Sequence, residues 1–404
     1  MKKVITIFVI LFAISLTMML PVAKELIFCF KRVDVSVSAN EVEANAKEEL
    51  NLTAKSSILM EAKSGKVLAE DNATAKLAPA SMTKVMTMLL VMEDLEKGKL
   101  SLDQKTIVSD YAASQEGSEC FLDAGHSYTI EELIKSVAVA SANDSCVALA
   151  EAVSGDEKVF VKEMNRRAKE LGMDNTNFVN CTGLDVEGHY SSAYDLCLAI
   201  KALSKYSLIA ELEKTWMYDM IHKNGRVTGL TNTNRLVRNN PDCFMAKTGH
   251  TDNAGYCIVV YGKRGESEMI ACVMGVNDSK VRFEEVTRLL NYGFSNYESK
   301  VILSKDKPLG EIEVKGGKIK TLPYYAEEDL YGFSRKGEEI TPEIKHVLDN
   351  DQLKAPIKGG EDIGKVEMYI NGVKTAEANL ETRDEVEKKA VIDLVKELIS
   401  YIYG

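Results

Sequence analysis

Pro79-Ala-Ser-Met-Thr-Lys84 runs directly into Val85-Met-Thr-Met-Leu-Leu-Val-Met92, and the reading of the whole chain turns on this stretch. The segment after Lys84 is apolar almost all round, so a helix from Ser81 to Glu96 belongs in the middle of a domain, not on its surface. Ser81 then stands at the N-terminus of a buried helix, where free N–H groups and the helix dipole favour developing negative charge. Lys84 lies three residues on and shares the serine's face. A serine hydroxyl is a poor nucleophile until a base stands beside it. This spacing supplies the base as an amine, without histidine.

Two more strings follow in order, Ser141-Ala-Asn143 and Lys247-Thr-Gly249. They add a second proton carrier, an amide and a cationic anchor for a substrate carboxylate. Any one of the three is common by chance. Ser304-Lys-Asp-Lys307 repeats the first spacing in a charged stretch, and Ser38-Ala-Asn40 repeats the second ahead of the folded part. The ordered set is what carries information.

Local patterns place each string. Thr129-Ile-Glu-Glu132 is a capping box that opens a helix through about Ala140. A second helix from about Asp144 to Val153 leaves Ser141-Ala-Asn143 at a helix junction. Strands are expected at Phe244 to Gly249, Tyr256 to Tyr261 and Glu268 to Val276, the last two joined by a Lys263-Arg-Gly265 turn. Gly249 and Gly255 suit a backbone that a ligand approaches closely. Residues 56 to 70 read as a hairpin, and an amphipathic helix is expected from Arg282 to Phe294.

The chain has 404 residues, is 45% hydrophobic and carries a net charge of −11. That is enough apolar material for real cores. The acidic balance argues against a nucleic-acid partner, since phosphate binding wants a basic face. The five histidines show no metal-ligand spacing, so neither a metal nor another cofactor is implied. The eight cysteines are scattered without a CxxC, and Cys146, Cys257 and Cys272 sit in apolar runs. Buried free thiols fit that pattern better than a disulfide framework.

Met1-Lys2-Lys3 followed by the apolar run Val4 to Val22 reads as an export signal, with small-residue cleavage sites at Val37-Ser-Ala39 and Ala44-Asn-Ala46. The run is also about long enough for an uncleaved anchor. Either way the protein is expected outside the cytoplasm, at the outer face of the membrane or beyond it. The expected division is a signal and linker over 1–46, a catalytic domain over 47–299, a β-rich domain over 300–380 and an amphipathic helix over 381–404. Asn371-Gly372 between alternating runs is a hairpin signal within the β-rich part. Val391, Leu394, Val395, Leu398, Ile399 and Ile402 form the terminal helix's apolar stripe, suited to a membrane interface or to docking on the β-domain.

The set resembles the low-molecular-weight penicillin-binding proteins, the serine-type D-alanyl-D-alanine carboxypeptidases of peptidase family S11. The likeness runs from about Ala54 to Tyr297. It is carried by Leu59-Met-Glu-Ala62 with Ser64-Gly65, Pro79-Ala-Ser-Met-Thr-Lys84 and Asn143-Asp144. Leu171-Gly-Met173, Gly183-Leu-Asp185, Gly188-His-Tyr-Ser-Ser-Ala193, Lys247-Thr-Gly-His-Thr251 and Tyr292-Gly-Phe294 complete it. Ala142 departs from it, since the family more often has glycine there.

The resemblance implies an α+β fold: a β-lactamase/transpeptidase-like domain of helices packed on an antiparallel sheet, then a small all-β domain and a C-terminal amphipathic helix. It implies that Ser81 attacks the penultimate D-alanine carbonyl of a peptidoglycan stem peptide, that Lys84 takes its proton and that Ser141 relays a proton. Asn143 would bond the substrate amide. Lys247 and Thr248 would hold the terminal carboxylate, with Gly249 beside them. The N–H groups of Ser81 and His250 would form the oxyanion hole. β-Lactams become inhibitors on this reading, and the terminal helix a membrane contact. The rival enzymes on the same scaffold are a class A-like β-lactamase, which needs a deacylating glutamate that Phe160 to Asn180 does not clearly offer, and a DD-endopeptidase or transpeptidase.

Overall fold

The structure, a computed structural model, describes residues 50–403. The expected export signal, its linker and Cys29 lie outside the described residues.

Five antiparallel strands build the central sheet: β1 (Ser56–Glu61), β2 (Val67–Asp71), β3 (Cys243–Thr251), β4 (Gly255–Arg264) and β5 (Ser267–Val276). Their order is β2-β1-β5-β4-β3, so the N-terminal hairpin inserts its first strand against the last. Period-2 alternation puts Ile58, Met60, Ile270, Cys272 and Met274 into the main core. The intervening Leu59 and Met269 approach Gly293 on the helix behind the sheet. With both faces covered, β1 and β5 read as continuous apolar runs rather than alternating ones.

The principal helices are α1 (Lys84–Glu96), α2 (Ile130–Ala140), α3 (Asn143–Ser154), α4 (Glu157–Glu170), α5 (Ala193–Leu203), α6 (Ser207–Glu213), α7 (Ser279–Asn296) and α8 (Val391–Tyr403). Residues 84–93 of α1 are all buried, as its unbroken apolar surface requires. It packs against α3, α4 and α5, while α5 and α7 cover the sheet. The helix does not begin at Ser81. Ala80–Thr83 forms a 3-10 turn first, in which the Met82 N–H donates to the Pro79 carbonyl at 3.2 Å. Ala80, at φ 48°, makes the chain too tight there for an α-helical start.

The capping box at Thr129 is formed, with Glu132 reaching back to the Thr129 N–H. Ser141 ends α2 in the left-handed conformation, φ 60° and ψ 33°, and α3 follows after one residue. Ala142 has φ −59°, a value any L-residue accepts, so its methyl group costs the junction nothing.

From Tyr297 the chain is strand-rich. Tyr297–Leu303 pairs with Leu330–Arg335, and six further strands form a second sheet with its own core, including Ile312, Leu322, Val366, Met368 and Leu380. Asn371 and Gly372 connect Glu361–Ile370 to Val373–Thr382 with φ 53° and 78°, the positive pair that a tight hairpin turn demands. The stripe on α8 is not covered: Leu398 is 61% exposed and Ile402 62%. Among the described residues no helix is long and apolar enough to cross a membrane. The seven described cysteines are free thiols, all but Cys243 buried.

Candidate active site

The buried face of α1 brings Lys84 under the Ser81 turn. Its Nζ donates to Ser81 Oγ at 3.0 Å, to Asn143 Oδ1 at 2.7 Å and to the Thr182 carbonyl at 2.7 Å. Lys84 has no solvent exposure. Burial pushes its amine below the ordinary 10.5, the nearby Cys146, Cys181 and Asp144 opposing the shift. A buried amine with lowered proton affinity, aimed at a hydroxyl, is the arrangement that makes the hydroxyl nucleophilic.

Asn143 starts α3, and its Nδ2 donates to the Glu116 carbonyl at 2.6 Å. Its oxygen is therefore committed to Lys84, and of its two amide hydrogens one remains for a substrate. Asn143 also holds the amine in place.

β3 supplies the other half of the site. It is the edge strand of the sheet, and the Ser81 turn packs against it. Lys247 Nζ donates to Ser141 Oγ at 2.9 Å and to the Thr248 carbonyl at 3.0 Å. Thr248 Oγ1 donates to Thr233 Oγ1 at 3.0 Å. Burial, then repulsion from Lys84, pushes the Lys247 amine down to about 7, against the attraction of Glu213. Burial dominates at Lys84, and the repulsion between the two amines is expressed at Lys247.

Gly249 explains itself sterically. A Cβ at that position would lie 2.9 Å from the Pro79 carbonyl oxygen and 3.2 Å from the Ser81 nitrogen. Only a bare Cα lets the strand come this close to the nucleophile's backbone. Gly183, at φ +90°, is tighter still, since its Cβ would overlap the Ala80 carbonyl at 1.8 Å. His250 is exposed, with its ring stacked on Tyr256 at 4.0 Å. All eight residues singled out from the sequence thus gather around one edge of the sheet, six of them within two hydrogen-bonded groups.

His189 is structural. Its Nδ1 accepts the Val179 N–H at 3.0 Å, so Nε2 carries the proton and donates to Thr83 Oγ1 at 2.8 Å. Burial holds its pKa down at about 4, so the ring is neutral. The carboxylates that a deacylating role would need are committed elsewhere. Glu163 pairs with Arg166, and Glu157 accepts from Tyr111 and from the Cys181 N–H.

Residues 42–278 match the family model described as D-alanyl-D-alanine carboxypeptidase. The chain belongs to that family. Residues 297–388 match a second model, the C-terminal domain of penicillin-binding protein 5. The D-alanyl-D-alanine carboxypeptidase DacF of Bacillus subtilis is 40% identical over 348 residues, 86% of this chain and 90% of that protein. DacC of Escherichia coli is 33% identical over 84% of this chain and 86% of its own length. Among solved structures, penicillin-binding protein 5 of Haemophilus influenzae superposes with a TM-score of 0.64 at 30% identity, covering 83% of this chain and 98% of that one. PBP3 of Streptococcus pneumoniae, described as a peptidoglycan synthesis regulatory factor, gives 0.70 at 26% identity over 83% and 100%. The α+β architecture read from the sequence is that of the carboxypeptidase family.

Several residues that shape this carboxypeptidase site carry no motif. Glu213, buried at the end of α6, accepts the Ala246 N–H at 2.9 Å, one residue before Lys247. Burial pushes its carboxyl up to about 8. Arg282, buried on α7, donates to the carbonyls of Gly249 and Cys257 at 3.0 and 3.3 Å. The carbonyls of Thr182 and Glu116 fix Lys84 and Asn143. Backbone acceptors leave no trace in residue type. Glu213 and Arg282 had one signal, a charge within an otherwise core-facing helical stripe.

Proposed function

We propose that this chain is a serine-type D-Ala-D-Ala carboxypeptidase that removes the terminal D-alanine from peptidoglycan stem pentapeptides through an acyl-enzyme on Ser81. The observation that carries the reading is the fully buried Lys84 amine 3.0 Å from Ser81 Oγ. Lys247 and Thr248 take the substrate's terminal carboxylate, and Asn143 offers its free amide hydrogen to the substrate's acyl side. Ser81 Oγ attacks the penultimate D-alanine carbonyl carbon and passes its proton to Lys84. The N–H groups of Ser81 and His250 hold the resulting oxyanion, a contribution of about 3 kcal/mol per donor in comparable sites. The C–N bond then breaks, and the departing D-alanine nitrogen takes a proton relayed through Ser141. Water attacks the ester with Lys84 again as base, which frees the tetrapeptide acid and restores the Ser81 hydroxyl.

A β-lactam enters the same path, its ring amide standing in for the D,D-peptide bond. No carboxylate among the described residues hydrogen-bonds Ser81 or Lys84, which supports a long-lived adduct rather than fast hydrolysis. The division into an exported catalytic domain, a β-rich stalk and α8 as a membrane-surface contact belongs to this proposal. The uncovered stripe on α8 supports the contact. Residues 383–404 carry four basic and five acidic side chains, so apolar insertion and not charge would drive it.

The test is mass spectrometry of the protein after incubation with penicillin, alongside D-alanine release from a pentapeptide. One stable adduct on Ser81, with release abolished by Ser81→Ala, is the expected result. Rapid turnover of penicillin would reassign the chain as a β-lactamase. Unchanged release from Ser81→Ala would remove the serine mechanism.

A further inference from the structure

One half-buried amide side chain closes the turn that lies under Lys84. Asn180 Oδ1 accepts the Gly183 N–H at 2.7 Å, the Thr182 N–H at 3.2 Å and the Thr182 hydroxyl at 3.3 Å. Its Nδ2 donates to the Leu184 carbonyl at 2.9 Å. Thr182 and Gly183 are buried, and the turn is pressed against Ala80, whose carbonyl oxygen a Cβ on Gly183 would overlap. The backbone just before it is held from outside. The Cys181 N–H donates to Glu157 at 3.0 Å, and the Cys181 carbonyl accepts from Thr87 Oγ1 at 2.7 Å. Neither the sequence motifs nor the steps of the reaction give Asn180 a part.

The Thr182 carbonyl and the Gly183 N–H belong to one planar peptide unit, and in a trans unit they point in opposite directions. Lys84 Nζ holds the oxygen end at 2.7 Å, and Asn180 Oδ1 holds the hydrogen end at 2.7 Å. Fixing one end aims the other. A hydrogen bond at the N–H also makes the carbonyl a stronger acceptor, because bonds in series polarise one another.

What that acceptor does follows from counting hydrogens. The Lys84 ammonium has three, and they go to Ser81 Oγ, Asn143 Oδ1 and the Thr182 carbonyl. The neutral amine has two. They stay on the two oxygens at 2.7 Å, since neither of these can donate in return. The lone pair is left facing Ser81 Oγ, the group whose proton it must accept. If the Thr182 carbonyl swings away, the amine turns about its last bond and the lone pair loses its aim.

We propose that Asn180 is a positioning residue for the base: through the Thr182–Gly183 peptide it aims the Lys84 lone pair at the nucleophile. The proposal rests on the acyl-enzyme reading. The ionisable groups that face the Lys84 amine are Cys146 and Asp144 on α3, Cys181 beside the turn and Lys247 on β3. Substitution at Asn180 leaves these in place.

The experiment is stopped-flow acylation of the full chain by a chromogenic cephalosporin across pH, with thermal melting of each variant. The amine must be neutral to take the proton, so the acid limb of the acylation rate reports it. Asn180→Ala frees the carbonyl. Its plateau is expected to fall by about ten- to a hundred-fold, the loss that misdirecting a reacting group brings. Its limb is expected at lower pH than in wild type, because the ammonium has lost an acceptor. Asn180→Asp keeps an oxygen for both N–H groups and adds a negative charge, which favours the ammonium. Its plateau is expected within about three-fold of wild type, with the limb at higher pH. A loosened fold does not move the two limbs in opposite directions. Limbs that stay put or move the same way, or an Asn180→Ala plateau within about two-fold of wild type, overturn the role and leave the serine mechanism standing. A wild-type chain that the cephalosporin does not acylate removes the acyl-enzyme reading, and this inference falls with it.

Discussion

Lys247 Nζ donates to Ser141 Oγ across 2.9 Å, joining a sheet edge to a helix junction 106 residues earlier in the chain. The proposed carboxylate anchor and the proposed proton relay are thus one hydrogen-bonded unit. A change in the charge of the amine changes the hydrogen bonding of the hydroxyl.

Lys247 anchors a carboxylate only as a cation, and its pKa of about 7 means that the cation is lost as pH rises through neutrality. The kcat/KM for a peptide with a free C-terminus should therefore fall on the alkaline side of about pH 7. A bound carboxylate raises the amine's proton affinity, so the alkaline fall in kcat should lie at higher pH. A C-terminally amidated peptide should lack the difference. pH profiles that coincide for the two peptides would exclude Lys247 as the anchor.

Glu213 opposes the depression of Lys247 only when ionised. With its carboxyl pushed up to about 8, it is mostly neutral at pH 7 and gains its charge as the pH rises further. Glu213→Gln keeps an oxygen to accept the Ala246 N–H but can never take that charge. Wild type should therefore keep its kcat/KM further into the alkaline range than Glu213→Gln, the two profiles parting above about pH 7, mainly through KM. Glu213→Ala should in addition strand the Ala246 N–H and lower stability by about 1–3 kcal/mol. Identical pH profiles for wild type and Glu213→Gln would make the residue purely structural.

Gly249→Ala would press a methyl group against the Pro79 carbonyl and the Ser81 nitrogen. The strand must then move away from the nucleophile's turn. Overpacking of this kind costs about 1–3 kcal/mol in stability. Acylation by a chromogenic cephalosporin should slow by about ten- to a hundred-fold, since a misplacement of about 1 Å is felt strongly in the reaction. Stopped-flow acylation rates compared with thermal melting would show whether the site suffers more than the fold.

Ser141 occupies the left-handed region at φ 60°, where an L-side chain is strained by about 1–2 kcal/mol. Ser141→Ala keeps that strain and loses the hydroxyl, whereas Ser141→Gly relieves it. Both variants should lose turnover to a similar degree. Denaturant unfolding should find the glycine variant more stable than the alanine variant by about 1 kcal/mol. The reverse order would mean that the backbone there is not under strain.

Much of this was legible in the residues themselves. α1 is apolar on all sides, so its burial followed directly, and with it the isolation of Lys84 from water. The capping box at Thr129 and the Asn371-Gly372 turn are local chemistry, and local chemistry survives without tertiary information. The 3-10 turn at Ser81 was not legible, because it depends on Ala80 adopting a left-handed conformation under a neighbouring loop. Nor was the strand order, since nothing in Ser56–Glu61 announces β5 as its partner. The second role of Asn143 was hidden for a related reason: its amide could point either way until Glu116 and Lys84 fixed it. The acceptors that orient Lys84 are carbonyl oxygens, which every residue type carries alike.

The pairing of Ser56–Glu61 with Ser267–Val276 also governs how the molecule comes into being. An early-synthesised segment stays without its partner until more than two hundred further residues have been made, and such distant pairings form slowly. Until then β1 has β2 on one edge and nothing on the other. The working serine, set against β3 of the same sheet, is therefore completed late, as one of the last consequences of folding.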